Sequence, residues 1–342
     1  MLKRYLLFLY TYFSDKDWFK NDFKSALNID YDNDFFGLRT QVIYDNERTK
    51  INRFTIEKYF NLGKTDELVI KAGVIPRLYY LHNGSADIPN NAKMALYPLG
   101  QYNYRVLDIN TFTSLNGIDI LYTNDISGNF ITANLDIGRS IIEDRCHIYN
   151  ELVRELCRGA VDYKPVNNNY SMGLKIERSN HIFSIYKNRI DLLADIDKFT
   201  DPYTKAMATL WPYLEVHGRG IGYKYDRGNF YIETELKKNI YYLKNNTSLI
   251  GSAPEPINIY VRSYYVLYGY NLTENLNVYA SYSKSTDTLN RTAKNKVIGV
   301  SYTYDKFSLS AEYHKGFGKE WMRYDSPSDK WNSLVISGAY NF

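Results

Sequence analysis

The stretch KVIGVSYTYDKFSLSAEYH, residues 296–314, decides how this chain folds. Ile298, Val300, Tyr302 and Tyr304 fall on one parity, against Gly299, Ser301 and Thr303. After the tight turn YDKF (304–307) the alternation resumes, with Phe307, Leu309, Ala311 and Tyr313 against Ser308, Ser310, Glu312 and His314. Side chains on a strand change face at every residue, so each run presents one apolar and one polar face. Two such runs joined by a short turn carrying Asp make a β-hairpin.

The same unit recurs along the chain. Tight turns at YDNDF (31–35), NLGKTD (61–66), TNDISGN (123–129), ERSN (177–180), YDRGN (225–229), NLTEN (271–275) and YDKF join hairpins over 22–44, 51–75, 115–138, 169–190, 211–239, 257–285 and 295–315. Asn, Asp, Gly and Ser in these turns supply unusual backbone angles or local side-chain bonds. Adding one strand near 4–13 and one at 332–342 gives sixteen, with eighteen as the alternative; RGAVDYKPV (158–166) is placed in a long loop. Helical periodicity is confined to 141–156 and 190–210. Short turns on one side and long polar connections on the other are the pattern of a transmembrane barrel. The final run NSLVISGAYNF (332–342) then pairs with the first strand, leaving no edge exposed, and Phe342 sits in an aromatic girdle.

Composition agrees with strands rather than membrane helices. The 342 residues include 35 tyrosines and 16 phenylalanines, and tyrosine suits strands and half-wet boundaries. Mean hydropathy is −0.44, which in isolation reads as soluble. No uncharged apolar run reaches the roughly 18 residues a membrane helix needs, which excludes a helical membrane protein but not a barrel. The net charge of +4 is too even to call for nucleic acid. Cys146 and Cys157 fit either a loop-closing disulfide in an oxidising compartment or two unpaired thiols on a short helix. No metal or cofactor is expected. MLKRYLLFLYTYF at the start reads as the first strand, with a signal peptide absent from this sequence, because SDKDW beyond it offers no small-residue cleavage site.

A two-sheet sandwich would also alternate, but its apolar face would be dense in Val, Leu and Ile. Here tyrosines crowd the strand ends, as in YYVLYGY (264–270), which suits a headgroup zone. With the apolar face towards lipid, the backbone must be satisfied by closure and the polar face must point inward. The expected architecture is one domain over residues 1–342, an all-β closed antiparallel transmembrane β-barrel of sixteen strands with short periplasmic turns and long extracellular loops. Its inner face collects Lys24, Arg39, Gln41, Arg53, Glu57, Lys71, Asp119, Asp136, Lys175, Glu177, Lys224, Glu233, Glu235 and Glu312. So many charges imply a water-filled channel. Arg39, Arg53 and Lys71 on early strands against Glu233, Glu235 and Glu312 on later ones are read either as a transverse field or as a plain solvated wall.

The long connection from Pro76 to Ser114 breaks the alternation and carries Arg77, His82, Asp87, Lys93, Arg105 and Asp108. IKAGVIPRLYYLHN (70–83) before it and TSLNGIDILYTND (113–125) after it resemble the fifth strand, loop and sixth strand of Gram-negative outer-membrane porins. VIGVSYTYDKFSLSAEYHKGF (297–317) and the final SGAYNF are similar to that family's penultimate hairpin and closing strand. The resemblance implies a sixteen-stranded, often trimeric barrel whose third loop folds inward as a constriction. Val74 stands where the family commonly has Arg. The function expected is passive diffusion of small hydrophilic solutes and ions across the outer membrane, in contact with its lipid and lipopolysaccharide. A substrate-specific channel for sugars or carboxylates, with Tyr231, Tyr265 and Tyr279 as an aromatic line, or a receptor or adhesin acting through residues 316–331, is the alternative. His82, His147, His181, His217 and His314 are scattered, so no enzyme is expected.

Overall fold

Alternating runs bury one face only, and in the computed structural model every such run is a strand. The structure describes residues 2–14, 24–45, 48–76, 114–140, 163–166, 169–194, 202–210, 212–244, 257–288, 292–317 and 330–341. In chain order the strands are β1 (Leu2–Ser14), β2 (Lys24–Asp32), β3 (Phe36–Asp45), β4 (Arg48–Asn61), β5 (Glu67–Pro76), β6 (Ser114–Ile126), β7 (Asn129–Ser140), β8 (Tyr163–Pro165) and β9 (Asn169–Arg178). They continue as β10 (His181–Ala194), β11 (Tyr213–Arg227), β12 (Phe230–Lys244), β13 (Ile257–Asn271), β14 (Leu276–Asp287), β15 (Thr292–Tyr304), β16 (Phe307–Phe317) and β17 (Lys330–Asn341). Among the described residues one helix, α1 (Pro202–Leu210), stands between β10 and β11. No helix among the described residues is long and apolar enough to cross a membrane.

All strands belong to one sheet, and every pairing in it is antiparallel between neighbours. β1 bonds to β2 on one side and to β17 on the other, with Leu7 opposite both Leu27 and Tyr340. The final run therefore does meet the first strand. Phe342, however, lies outside the described residues.

The expected sixteen-strand, fully closed barrel is overturned in two respects. Among the described residues the sheet has seventeen strands. The additional one is β8, cut from the segment assigned to a loop, whose Tyr163, Lys164 and Pro165 pair with Ala194, Leu193 and Leu192 of β10. Nor is the sheet closed at that level. β7 pairs with β9 only as far as Gly138, opposite Asn169, and β8 has no partner on its other side among the described residues. Hydrophobic alternation cannot register a strand of three residues, and Pro165, with no N–H, limits its ladder. Residues 190–194, read as the start of a helical segment, instead extend β10, and Pro202–Leu210 is helical. The segment 141–156 and the inward folding of the 76–114 loop lie outside the described residues.

The turns work as their composition requires. Asn33 Oδ1 accepts from the N–H groups of Phe35 and Phe36 at 2.9 Å each. Between β6 and β7 both Ser127 (φ 54°) and Gly128 (φ 79°) are left-handed, the requirement of a two-residue turn matching the sheet's twist. The Gly128 N–H is anchored on Asp125 Oδ1 at 2.9 Å.

On the strands whose side chains are described, the two faces differ in chemistry. Ile118, Ile185, Ile221, Leu236 and Ile298 stand outward and are half or more exposed, Ile298 at 70%. The opposite parity holds Glu57, Asp119, Asp136, Glu233, Glu235 and Glu312, all buried. The same parity also buries Ile75, Leu115, Ile190, Leu214, Val216 and Leu243, so the inner face is mixed; what a sandwich would not show is the exposed row of Ile and Leu on the other face.

Candidate functional site: the inner wall

The inner parity of β2 to β9 groups acids with bases. Arg39 Nη2 lies 2.7 Å from Asp32 Oδ2, its Nε lies 3.6 Å from Glu57 Oε2, and Arg53 Nη2 lies 3.5 Å from Glu57 Oε1. The Tyr59 hydroxyl lies 2.9 Å from Glu57 Oε2 and 3.0 Å from Asp32 Oδ1, and Thr55 Oγ1 donates to Glu57 Oε1 at 3.2 Å. Glu57 is thus the hub of the cluster. On the next two strands, Lys71 Nζ of β5 lies 3.3 Å from Asp119 Oδ2 of β6. Asp119 stands opposite Asp136, which accepts from the Ser171 hydroxyl and from Asn134 Nδ2.

Arg39, Arg53 and Lys71 were the basic side of a conceivable transverse field, yet each is matched by a carboxylate on its own or an adjacent strand. Across the later strands, Lys224 pairs with Glu233 at 3.1 Å. Glu312 Oε2 lies 2.9 Å from His314 Nε2, and both residues are fully buried.

Tyrosines organise the later wall by a repeated geometry. Tyr186 of β10 lies over Gly220 of β11 and donates to Glu235 Oε1 of β12 at 3.2 Å. Tyr231 of β12 lies over Gly269 of β13 and donates to Asn277 Oδ1 of β14 at 3.0 Å. Tyr279 of β14 lies over Gly299 of β15 and donates to Glu312 Oε1 of β16 at 2.7 Å. Each ring spans a glycine strand to reach the strand beyond, because only a missing Cβ leaves room for it. A Cβ on Gly269 or Gly299 would overlap the tyrosine ring. On the early side Tyr59 of β4 repeats the step in the other direction, over Gly37 of β3 to Asp32 of β2.

The residues named from sequence therefore separate by environment. Gln41, Asp119, Asp136, Glu233, Glu235 and Glu312 are on the inner parity but buried, whereas Lys175 and Glu177, 2.6 Å apart, keep 43% and 32% of their side-chain surface. Arg53 keeps 23%. Tyr231, Tyr265 and Tyr279 are on the inner face too, but buried rather than projecting as a line of free rings. Tyr59, Tyr186, Asp32 and His314 were not singled out as wall residues; their inward parity was readable, but the glycine or carboxylate that each meets depends on strand register. His217 faces outward, 2.6 Å from Glu215. The side chain of Lys24 is outside the described set, as are Arg77, His82, Asp87, Lys93, Arg105, Asp108, Cys146, Cys157 and His147.

No protein-family model matches the chain, and no curated protein matches it in sequence. Solved structures do match over its full length. An anion-selective porin from Comamonas acidovorans aligns with 100% of this chain and 99% of its own at TM-score 0.62 and 10% identity. OmpT of Vibrio cholerae, an outer-membrane protein, aligns over 100% and 97% at TM-score 0.61 and 12% identity. The outer membrane channel DcaP of Acinetobacter baumannii aligns over 100% and 97% at TM-score 0.60 and 10% identity. The fold is that of outer-membrane porins. At these identities the likeness extends to the fold, and the function has to be argued from the wall.

Proposed function

We propose that this chain is an outer-membrane channel of porin type, a non-catalytic barrel through which small hydrophilic solutes and ions diffuse passively, with a preference for cations. The observation that supports it is the opposition of the two faces: exposed Ile, Leu and Phe outside, charged and hydrogen-bonded groups inside. Lipid accepts the first, and the second stays open to water at Arg53, Lys175 and Glu177. The cation preference rests on the balance of charge. Arg39, Arg53, Lys71 and Lys224 are each matched by carboxylates, while Asp136 is held by the neutral donors Ser171 and Asn134. An inner wall with surplus negative charge concentrates cations. The Comamonas porin is named as anion-selective, and this chain is expected to differ from it.

Trimeric assembly is part of the proposal, since a related Vibrio structure is described in a trimer form. A sugar-specific channel is less well supported, because Tyr231, Tyr265 and Tyr279 are buried and Tyr231 and Tyr279 spend their hydroxyls on the wall. Planar-bilayer recording tests the reading. Stepwise conductance is expected, with a reversal potential in a salt gradient whose sign favours cations. Absence of conductance would refute the channel, and an anion-sided potential would refute the preference.

A further inference from the structure

The outer wall of β10 to β13 carries four cations side by side. Lys187 is in register with Arg219, Arg219 with Lys238, and Lys238 with Arg262. The row continues past Lys284 of β14, which stands opposite Lys294 of β15. These positions share the outward parity of Ile185, Ile221 and Leu236. Like charges directly opposite one another destabilise a sheet, so such a row needs a counter-charge.

Among the described residues no carboxylate pairs with any of the four; Lys238 and Arg262 lie only over the Tyr260 ring, at 5.4 and 4.9 Å. Just above, the same wall treats its cations differently. Arg189, His217 and Lys244 converge on Glu215, and Arg189 also meets Asp191. The contrast is between a cluster neutralised from within and a row that must be neutralised from outside.

Directly around the row is a groove of about 1010 Å³ lined by the four cations together with Met172, Leu174, Ile185, Ile221, Leu236 and Tyr264. The row sits between six residues (Lys187 from His181) and nine (Arg262 from Asn271) above the short turns. At about 3.3 Å per residue and a tilt near 40° that is roughly 15–23 Å, towards the far edge of a band about 25 Å tall. Long cationic side chains at that height reach the headgroup level while their stems cover apolar surface. With strands about 4.8 Å apart, four of them span roughly 14 Å, wider than one phosphate.

We propose that this wall is a binding site for a membrane lipid whose headgroup bears two separated phosphates, the phosphates bridging the row from Lys187 to Arg262 and the acyl chains lying in the groove below it. This rests on the outer-membrane reading but not on conduction. The site takes a lipid rather than a free anion because the cations form the rim of an apolar groove.

Native mass spectrometry in neutral detergent tests it, with diphosphoryl lipid A, its dephosphorylated form and inorganic phosphate as probes. The wild type is expected to retain the diphosphoryl lipid at least tenfold more tightly than the dephosphorylated one, and to ignore inorganic phosphate. The variant K187Q/R219Q/K238Q/R262Q should lose that tenfold, while Lys58→Gln on the outer face of β4 should not. Should the quadruple variant misfold, the pair Arg219→Gln and Lys238→Gln, made singly, should each show a graded loss. Equal retention by wild type and variants, equal binding of the dephosphorylated lipid, or binding of inorganic phosphate as strong as that of the lipid would each overturn the site. Conductance is read in parallel: a conducting channel without the phosphate-dependent binding sinks the lipid site alone, and bound lipid without conductance sinks the channel alone.

Discussion

Gly269 shows what a single hydrogen does in this wall. Its missing Cβ is the space in which the Tyr231 ring lies while the hydroxyl reaches Asn277. Gly269→Val should therefore force the ring out and lower stability by about 1–3 kcal/mol, the usual cost of overpacking. Unfolding in detergent measures it, and combining the change with Tyr231→Ala should recover part of the loss, since the second substitution vacates the space. Glu57 is the other decisive residue, since Arg39, Arg53, Tyr59 and Thr55 all converge on it. Glu57→Gln removes one charge from beside two guanidinium groups that are partly open to solvent. We expect a loss of about 1–2 kcal/mol, tempered by that exposure, and a reversal potential displaced towards anions. An unchanged potential would show that this cluster does not face the ion path.

Among the elements, the β6–β7 hairpin and β8 carry the most specific lessons. Ser127 and Gly128 both hold positive φ, so Gly128→Val should cost about 1 kcal/mol or more, whereas Ser127→Asn should be tolerated because Asn enters that region readily. Thermal melts of the two variants compare them directly, and an equal drop in both would mean that the turn does not set the hairpin. The long strands were legible because ten or more residues of alternation give a period that no helix imitates. β8 was not, since three residues have no period and its existence depends on Leu192, Leu193 and Ala194 arriving beside it.

For the whole molecule, the exposed apolar face makes a solubility prediction. Ile, Leu, Phe and Tyr stand outward on strand after strand, an expanse that monomeric soluble proteins do not leave to water. The protein should remain with membranes through an alkaline wash and should precipitate when detergent is removed. Quantitative recovery as a detergent-free monomer would contradict the lipid-facing assignment. The mean hydropathy conceals this property, because alternate residues cancel in any average.

The sequence by itself determined the class of fold, the hairpin turns and the side of the sheet on which each residue lies, since parity and turn chemistry are local and survive without knowledge of partners. It also put Arg39, Arg53, Glu57 and Lys71 on one face. Tertiary structure alone decided that Glu57 neutralises two arginines, that Tyr231 and Tyr279 cover glycines, and that Lys187, Arg219, Lys238 and Arg262 form one row. Register is the physical reason: sliding one strand by two residues keeps every side chain on its face and changes every neighbour it meets.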